Sequence, residues 1–175
     1  MTATIWNAAT GARLETREAQ AEQIVISMDG RKFVWVLSTD PYLIQVWDVP
    51  SGDVKTIEYQ RSDGNMFFYL SHSGRYLLAS SPSSPIFPVW DLAKSSADTN
   101  QAFHHHTIAC DRGGHGFVFV TDTMFALYVG PTIYVEDIDG TRRNTFSAEG
   151  NIEMLRTCSG NTSRLISISE KCVQV

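Results

Sequence analysis

The sequence is poor in positive charge, in cysteine and in long apolar runs, and each shortage removes a class of function. Lys and Arg number 14 against 19 Asp and Glu, a net charge of −5. Phosphate binding favours clustered cations, so nucleic acid is not expected as the primary partner. The tight basic pairs, Arg31-Lys32 and Arg142-Arg143, both stand beside turn residues and read as solvated turns. Three cysteines, Cys110, Cys158 and Cys172, are odd in number and lack metal-ligand spacing. They read as the reduced thiols of an intracellular protein. No apolar stretch approaches the roughly 18 residues of a membrane span. The first twenty residues contain Arg13, Glu15, Arg17 and Glu18 without an apolar run, unlike a secretory signal. A soluble intracellular protein without membrane contact is the expectation.

Catalytic patterns are equally scarce. There is no GxSxG nucleophile context. Gly113-Gly114-His115-Gly116 is glycine-rich but lacks the Lys and the helix of a phosphate-binding loop. His104-His105-His106 would send two imidazoles to one face of a strand, yet no further ligand pattern completes a metal site. Asp137 and Asp139 fit a strand end and its turn. Neither a cofactor nor a metal is expected.

What the sequence does have is a period, the feature to look for before any single strand. Ala3-Thr4-Ile5-Trp6-Asn7 returns as Ile44-Gln45-Val46-Trp47-Asp48, Phe87-Pro88-Val89-Trp90-Asp91 and Ile133-Tyr134-Val135-Glu136-Asp137. From position 6 to 47, 90 and 136 the intervals are 41, 43 and 46 residues. A second mark precedes the anchor. Ile24-Val25-Ile26-Ser27 runs through Asp29-Gly30 into Phe33 to Leu37, and Phe67 to Ser71 runs through Ser73-Gly74 into Tyr76 to Ser80. Gly160-Asn161 stands between similar runs, while Asp122-Thr123 makes a poorer turn. Turn dipeptides between β-rich runs predict hairpins. A polar fourth segment follows each anchor, at 11–17, 54–60, 101–108 and 141–147. The apolar runs are four to six residues long, alternate with period two and are rich in β-branched and aromatic residues, so no long helix is expected.

Four short strands per forty-odd residues is the unit of a β-propeller blade. On its Trp47-Asp48 and Trp90-Asp91 dipeptides, with Trp6-Asn7 and Glu136-Asp137 as altered copies, the chain resembles the WD40-repeat family over essentially its whole length. The resemblance implies a single all-β domain over 1–175 of about four blades, a partial propeller, with units at 1–18, 19–62, 63–109, 110–150 and 151–175. It implies repeat anchors at Trp6, Trp47, Asp48, Trp90, Asp91 and Asp137, and a protein or peptide partner held without catalysis. Its usual Gly-His dipeptide survives only as Gly114-His115, and the usual turn Asp only near Asp40, with Ser84 and Gly130 in its neighbourhood later. Most of the polar network inside each blade is therefore expected to be missing. A metal or cofactor in a central channel is one rival reading, but His72, His104–His106 and His115 are out of phase with the repeat; a non-functional fragment of a larger WD40 protein is the other.

Trp35, Trp47 and Trp90 are expected in the core. Tyr42, Phe87 and Tyr134 lie near the turn into the third strand, where edge packing is the first reading and partner contact the alternative. Pro82, Pro85 and Pro88 suggest a stiff exposed connection. Residues 171–175 resemble the strand that leads into Trp47 and Trp90, so the sequence starts and stops at nearly one phase. That is expected of a fragment of a larger propeller, or of a ring closed within one chain or between two. Open blade edges predict self-association.

Overall fold

A computed structural model describes residues 2–18, 22–37, 42–60, 66–81, 86–93, 104–107, 116–158 and 164–169. Pro82, Pro85, the 113–115 loop, the Gly160-Asn161 turn and the strand read at 171–175 lie outside the described residues. The fold is all-β: the described residues form sixteen strands and no helix. Sheet I contains β1 (Thr2–Trp6) and β2 (Arg13–Glu18). Sheet II contains β3 (Gln23–Ile26), β4 (Lys32–Leu37), β5 (Tyr42–Asp48) and β6 (Val54–Tyr59). In sheet III are β7 (Phe67–Leu70), β8 (Tyr76–Ser80), β9 (Ile86–Asp91) and β10 (His104–Thr107). Sheet IV follows with β11 (Gly116–Phe119), β12 (Met124–Val129), β13 (Thr132–Asp137) and β14 (Arg142–Ser147). Sheet V has β15 (Ile152–Cys158) and β16 (Arg164–Ser169). Among the described residues all pairings are antiparallel between strands consecutive in the chain, and no sheet closes on itself.

The turns explain much of the repeat. Ser27 and Ser71 are buried at the ends of β3 and β7. The Ser27 N–H donates to Lys32 O at 3.0 Å, and Ser71 N–H to Tyr76 O at 2.9 Å. Each serine Oγ accepts the N–H of that same residue, at 2.9 and 3.0 Å. The chain reverses through Gly30 and Gly74 at φ of 68° and 72°, where a side chain would be strained. A second kind of turn begins at the residue after the anchor's bulky site. Asn7, Asp48 and Asp137 donate N–H to the carbonyls of Ala12, Asp53 and Thr141 at 2.8, 2.9 and 2.9 Å. Their side chains serve the turn too: Asn7 Oδ1 accepts from Ala9 N–H at 2.9 Å, and Asp48 Oδ1 from Ser51 N–H at 3.2 Å. A short polar acceptor is what such a turn requires.

Successive sheets stack face to face, with β7 beside β3, β11 beside β7 and β15 beside β11. Alternation along each strand sends neighbouring residues to opposite neighbours. Val46 packs forward with sheet III, while Trp47 packs backward with Ile5 of sheet I. Val89 packs forward on Phe117 of sheet IV, while Trp90 joins Ile44 and Ile57 of sheet II. Val135 faces Ile152 and Leu155 of sheet V. The core is thus a series of apolar layers between sheets. About 25 cal/mol per Å² of buried apolar surface holds each layer together.

Candidate interaction surfaces

Trp47 and Trp90, expected in the core, are fully buried. Trp47 lies 5.4 Å from the Phe33 ring and 6.3 Å from Trp35, itself buried. Trp90 meets Tyr59 of sheet II perpendicularly at 5.2 Å and Phe68 at 6.5 Å. Its Nε1 is buried with no acceptor among the described residues. Glu136 occupies the same place in sheet IV and is 3% exposed. Arg142 on β14 reaches its Oε1 from both Nε at 3.0 Å and an Nη at 2.9 Å. Trp6, the remaining anchor, is 59% exposed.

The carboxylate beside each bulky site recruits a cation. Lys32 Nζ lies 2.6 Å from Asp48, Arg75 lies 3.0 Å from Asp91, and Arg143 lies 2.5 Å from Asp137. In sheets II and III the cation comes from the start of the second strand, and in sheet IV from the fourth. The hydrogen bond from Lys32, helped by Ser51, holds the Asp48 carboxyl below its ordinary 3.8. A depressed carboxylate stabilises the fold above its unfolded value and loses that contribution as pH falls through the folded one. Urea midpoints measured on the acid side of pH 4 are therefore expected to fall less steeply in Asp48→Asn than in the parent. Parallel acid limbs would refute the assignment.

The candidate partner aromatics separate. Tyr42 is 4% exposed and Phe87 is fully buried, so neither presents a surface to a partner. Strand alternation explains the correction: Tyr42 shares a face of β5 with Ile44 and Val46, and Phe87 shares one of β9 with Val89. Tyr134 is half-buried, with the Arg142 guanidinium 4.6 Å from its ring centroid. The histidine triplet falls on β10, opposite Phe87, Pro88 and Val89. Among the described residues no group of three His, Cys, Asp or Glu could hold a metal ion, and no helix is long and apolar enough to cross a membrane.

Sequence reasoning did not anticipate the cleft between sheets IV and V. It measures about 460 Å³ and is lined by Ile133, Val135, Arg143 and Phe146 of sheet IV and by Leu165 and Ser167 of sheet V. Phe146 is 46% exposed. Its counterpart in sheet II is Ile57, since β13 pairs Ile133 with Phe146 as β5 pairs Ile44 with Ile57. Ile57 is fully buried beneath sheet III. Among the described residues sheet V has two strands where sheet III has four, and the cleft lies over the part of sheet IV that those two leave open. The signal was present in the sequence as Phe146 within a polar segment.

No family model matches the sequence, and neither does any curated protein. A solved structure of a functionally unknown protein from Desulfotomaculum acetoxidans DSM 771 superposes with a TM-score of 0.64 at 12% identity, over 91% of this chain and 52% of that one. The likeness is one of fold alone. This chain spans about half the length of that structure.

Proposed function

We propose that the chain is an arc of WD40-like propeller blades that works as a protein-interaction module and catalyses nothing itself. The observation that carries the reading is the apolar cleft on sheet IV, where Phe146 stands open at a position that is fully buried in sheet II. An uncovered apolar face flanked by polar residues is what a protein partner covers. The arc reading is supported by sheets that repeat one turn design and stack through their first strands. In this reading the ion pairs of Asp48, Asp91 and Asp137 are structural, each tying two strands of its own sheet.

A displayed library of two-stranded β-peptides tests the reading. Binders are expected to lose about 2 kcal/mol, roughly 30-fold in affinity, against Phe146→Asp. Binding that ignores this substitution would count against the cleft. Stoichiometric metal in the purified protein would overturn the non-catalytic reading in favour of a metal-bearing channel.

A further inference from the structure

We propose that Gln23, Tyr69 and Tyr128 are register locks, each fixing how far one sheet slides along the next. Apolar layers cannot do this, because hydrophobic burial is non-directional. Hydrogen bonds are directional and weaken steeply when misaligned. At three successive junctions a polar side chain of the earlier sheet grips the main chain of the later sheet's first strand. Gln23 on β3 reaches β7: its Nε2 donates to Met66 O, and its Oε1 accepts the Phe68 N–H at 3.1 Å. Those two groups flank Phe67, the pattern by which one residue of a parallel neighbour pairs with a strand. β7 is an edge of sheet III, paired among the described residues with β8 alone. The Gln23 carboxamide stands in for one residue of a neighbouring strand.

The other junctions use different side chains at matching places. Phe68, Phe117 and Leu155 are buried, and each packs on the preceding sheet. Tyr69 on β7 makes a hydrogen bond with the main chain of Phe117 and another with the buried Ser80 side chain. Burial pushes its phenol above the ordinary 10.0, and those two bonds act against the rise. Tyr128 on β12 donates its hydroxyl to Glu153 O at 2.8 Å. Glu153 stands two residues before Leu155, as Met66 stands two before Phe68. The change of side chain has a visible cause. Gly116 and Tyr128 are paired three positions along from Phe119 and Phe125, as Gln23 and Val36 are from Ile26 and Phe33. Sheet IV therefore has glycine where sheet II has Gln23, and a Cβ there would run into the Tyr128 ring. The phenol takes up that space, and its hydroxyl reaches the next sheet instead.

Two of the junctions are pinned at the glycine-turn end as well. Met28 N–H donates to His72 O at 3.2 Å between sheets II and III, and Ser73 N–H to Asp122 Oδ1 at 2.8 Å between sheets III and IV. Gln23 begins β3 and Met28 lies beyond its end, so the two pins of that junction are a strand apart. Two separated points fix tilt as well as sliding, and sheets II, III and IV hold one mutual stagger. These locks act whether or not the cleft holds a partner.

Gln23→Glu in the full chain makes the first lock switchable by pH, and amide hydrogen exchange at Phe68 reads it. An un-ionised carboxyl donates to Met66 O and accepts from Phe68 N–H, as the carboxamide does. An ionised one turns an acceptor on Met66 O, so the native state holds the proton and the folded pKa rises. Glu22 and Tyr42 are the titratable groups beside it among the described residues, and the Glu22 carboxylate acts in the same direction. The lock is then present below the unfolded value, about 4.3, and lost as pH rises through the folded one. Near pH 4, about the unfolded value, Phe68 protection is expected to match the parent. At neutral pH it is expected to fall about ten-fold after correction for intrinsic exchange, while Val34 keeps its own. Nuclear Overhauser contacts between the Tyr59 and Trp90 rings, 5.2 Å apart across the junction, are expected to weaken with it. Equal Phe68 protection at both pH values would mean that Gln23 grips nothing. Uniform loss through sheets II and III would make it a general stabiliser, and loss at Phe68 with unaltered ring contacts would mean edge cover without register. Each of these overturns the proposal. Tyr128→Phe keeps the ring over Gly116 and removes only the hydroxyl. Exchange about ten-fold faster is expected at Ile152, whose N–H donates to Gly130 O at 3.0 Å across the same junction. Unchanged exchange there would overturn the lock at Glu153.

Discussion

Trp90→Ala lowers the free energy of unfolding by about 3–5 kcal/mol, as truncation of a large buried aromatic does. The indole is fully buried between sheets II and III, against Tyr59 and Phe68. Domains of this size are held by about 5–15 kcal/mol in all, so the substitution removes a large share. Two controls isolate the cause. Trp6→Ala, at an anchor 59% exposed, is expected to cost under about 1 kcal/mol in the single chain. Trp90→Phe is expected to cost less than its lost volume suggests, because it also removes a buried N–H without an acceptor among the described residues. Such a donor is worth about 1–3 kcal/mol against the fold. Urea unfolding followed by circular dichroism measures all three. Equal midpoints for Trp90→Ala and Trp6→Ala would mean that the anchor does not join the sheets.

Arg142→Met is the second large effect, expected at about 2 kcal/mol. Breaking a fully buried ion pair costs about 3–5 kcal/mol, but the Arg142 side chain is 49% exposed and only Glu136, at 4%, is buried. The full figure is therefore discounted for solvent. Losing the guanidinium above Tyr134 adds to the effect, by about 0.5–1 kcal/mol at an exposed site. The double substitution Glu136→Leu with Arg142→Met is expected to recover most of the loss, since the pair's cost lies in stranding one charge. Failure of the double variant to recover stability would mean that the pair attracts more than its desolvation costs.

The contrast between Trp90 and Glu136 shows how far the sequence could be read. The anchors, the glycine turns and the polar fourth strands were visible because each leaves a local signature: a bulky residue before a short acceptor, a glycine in the left-handed region, a strand with polar alternation. Which face an anchor presents was not visible, because period two says only that neighbours diverge. Tyr42 and Phe87 were open to a surface reading by their nearness to turns, while their registry with Ile44 and Val89 argued for burial. Glu136 was legible as an altered Trp position but not as a buried acid, since its cation lies on β14, a strand away. The cleft was the hardest to see. It depends on how many strands of the neighbouring sheet cover sheet IV among the described residues, and Phe146 within its polar segment was the one local trace of it.

The backward-facing anchors also set an order in time. Trp90 covers Ile44 and Ile57, so sheet II has a sealed forward face only when residues of sheet III exist. From position 47 to 90 the ribosome adds 43 residues, about 2–9 seconds at ordinary elongation rates. A nascent chain therefore always carries one unsealed apolar face, and that face moves forward a sheet at a time behind the growing end. Synthesis that pauses between anchors prolongs its exposure, and a chaperone that follows translation would meet the same kind of surface at every stage.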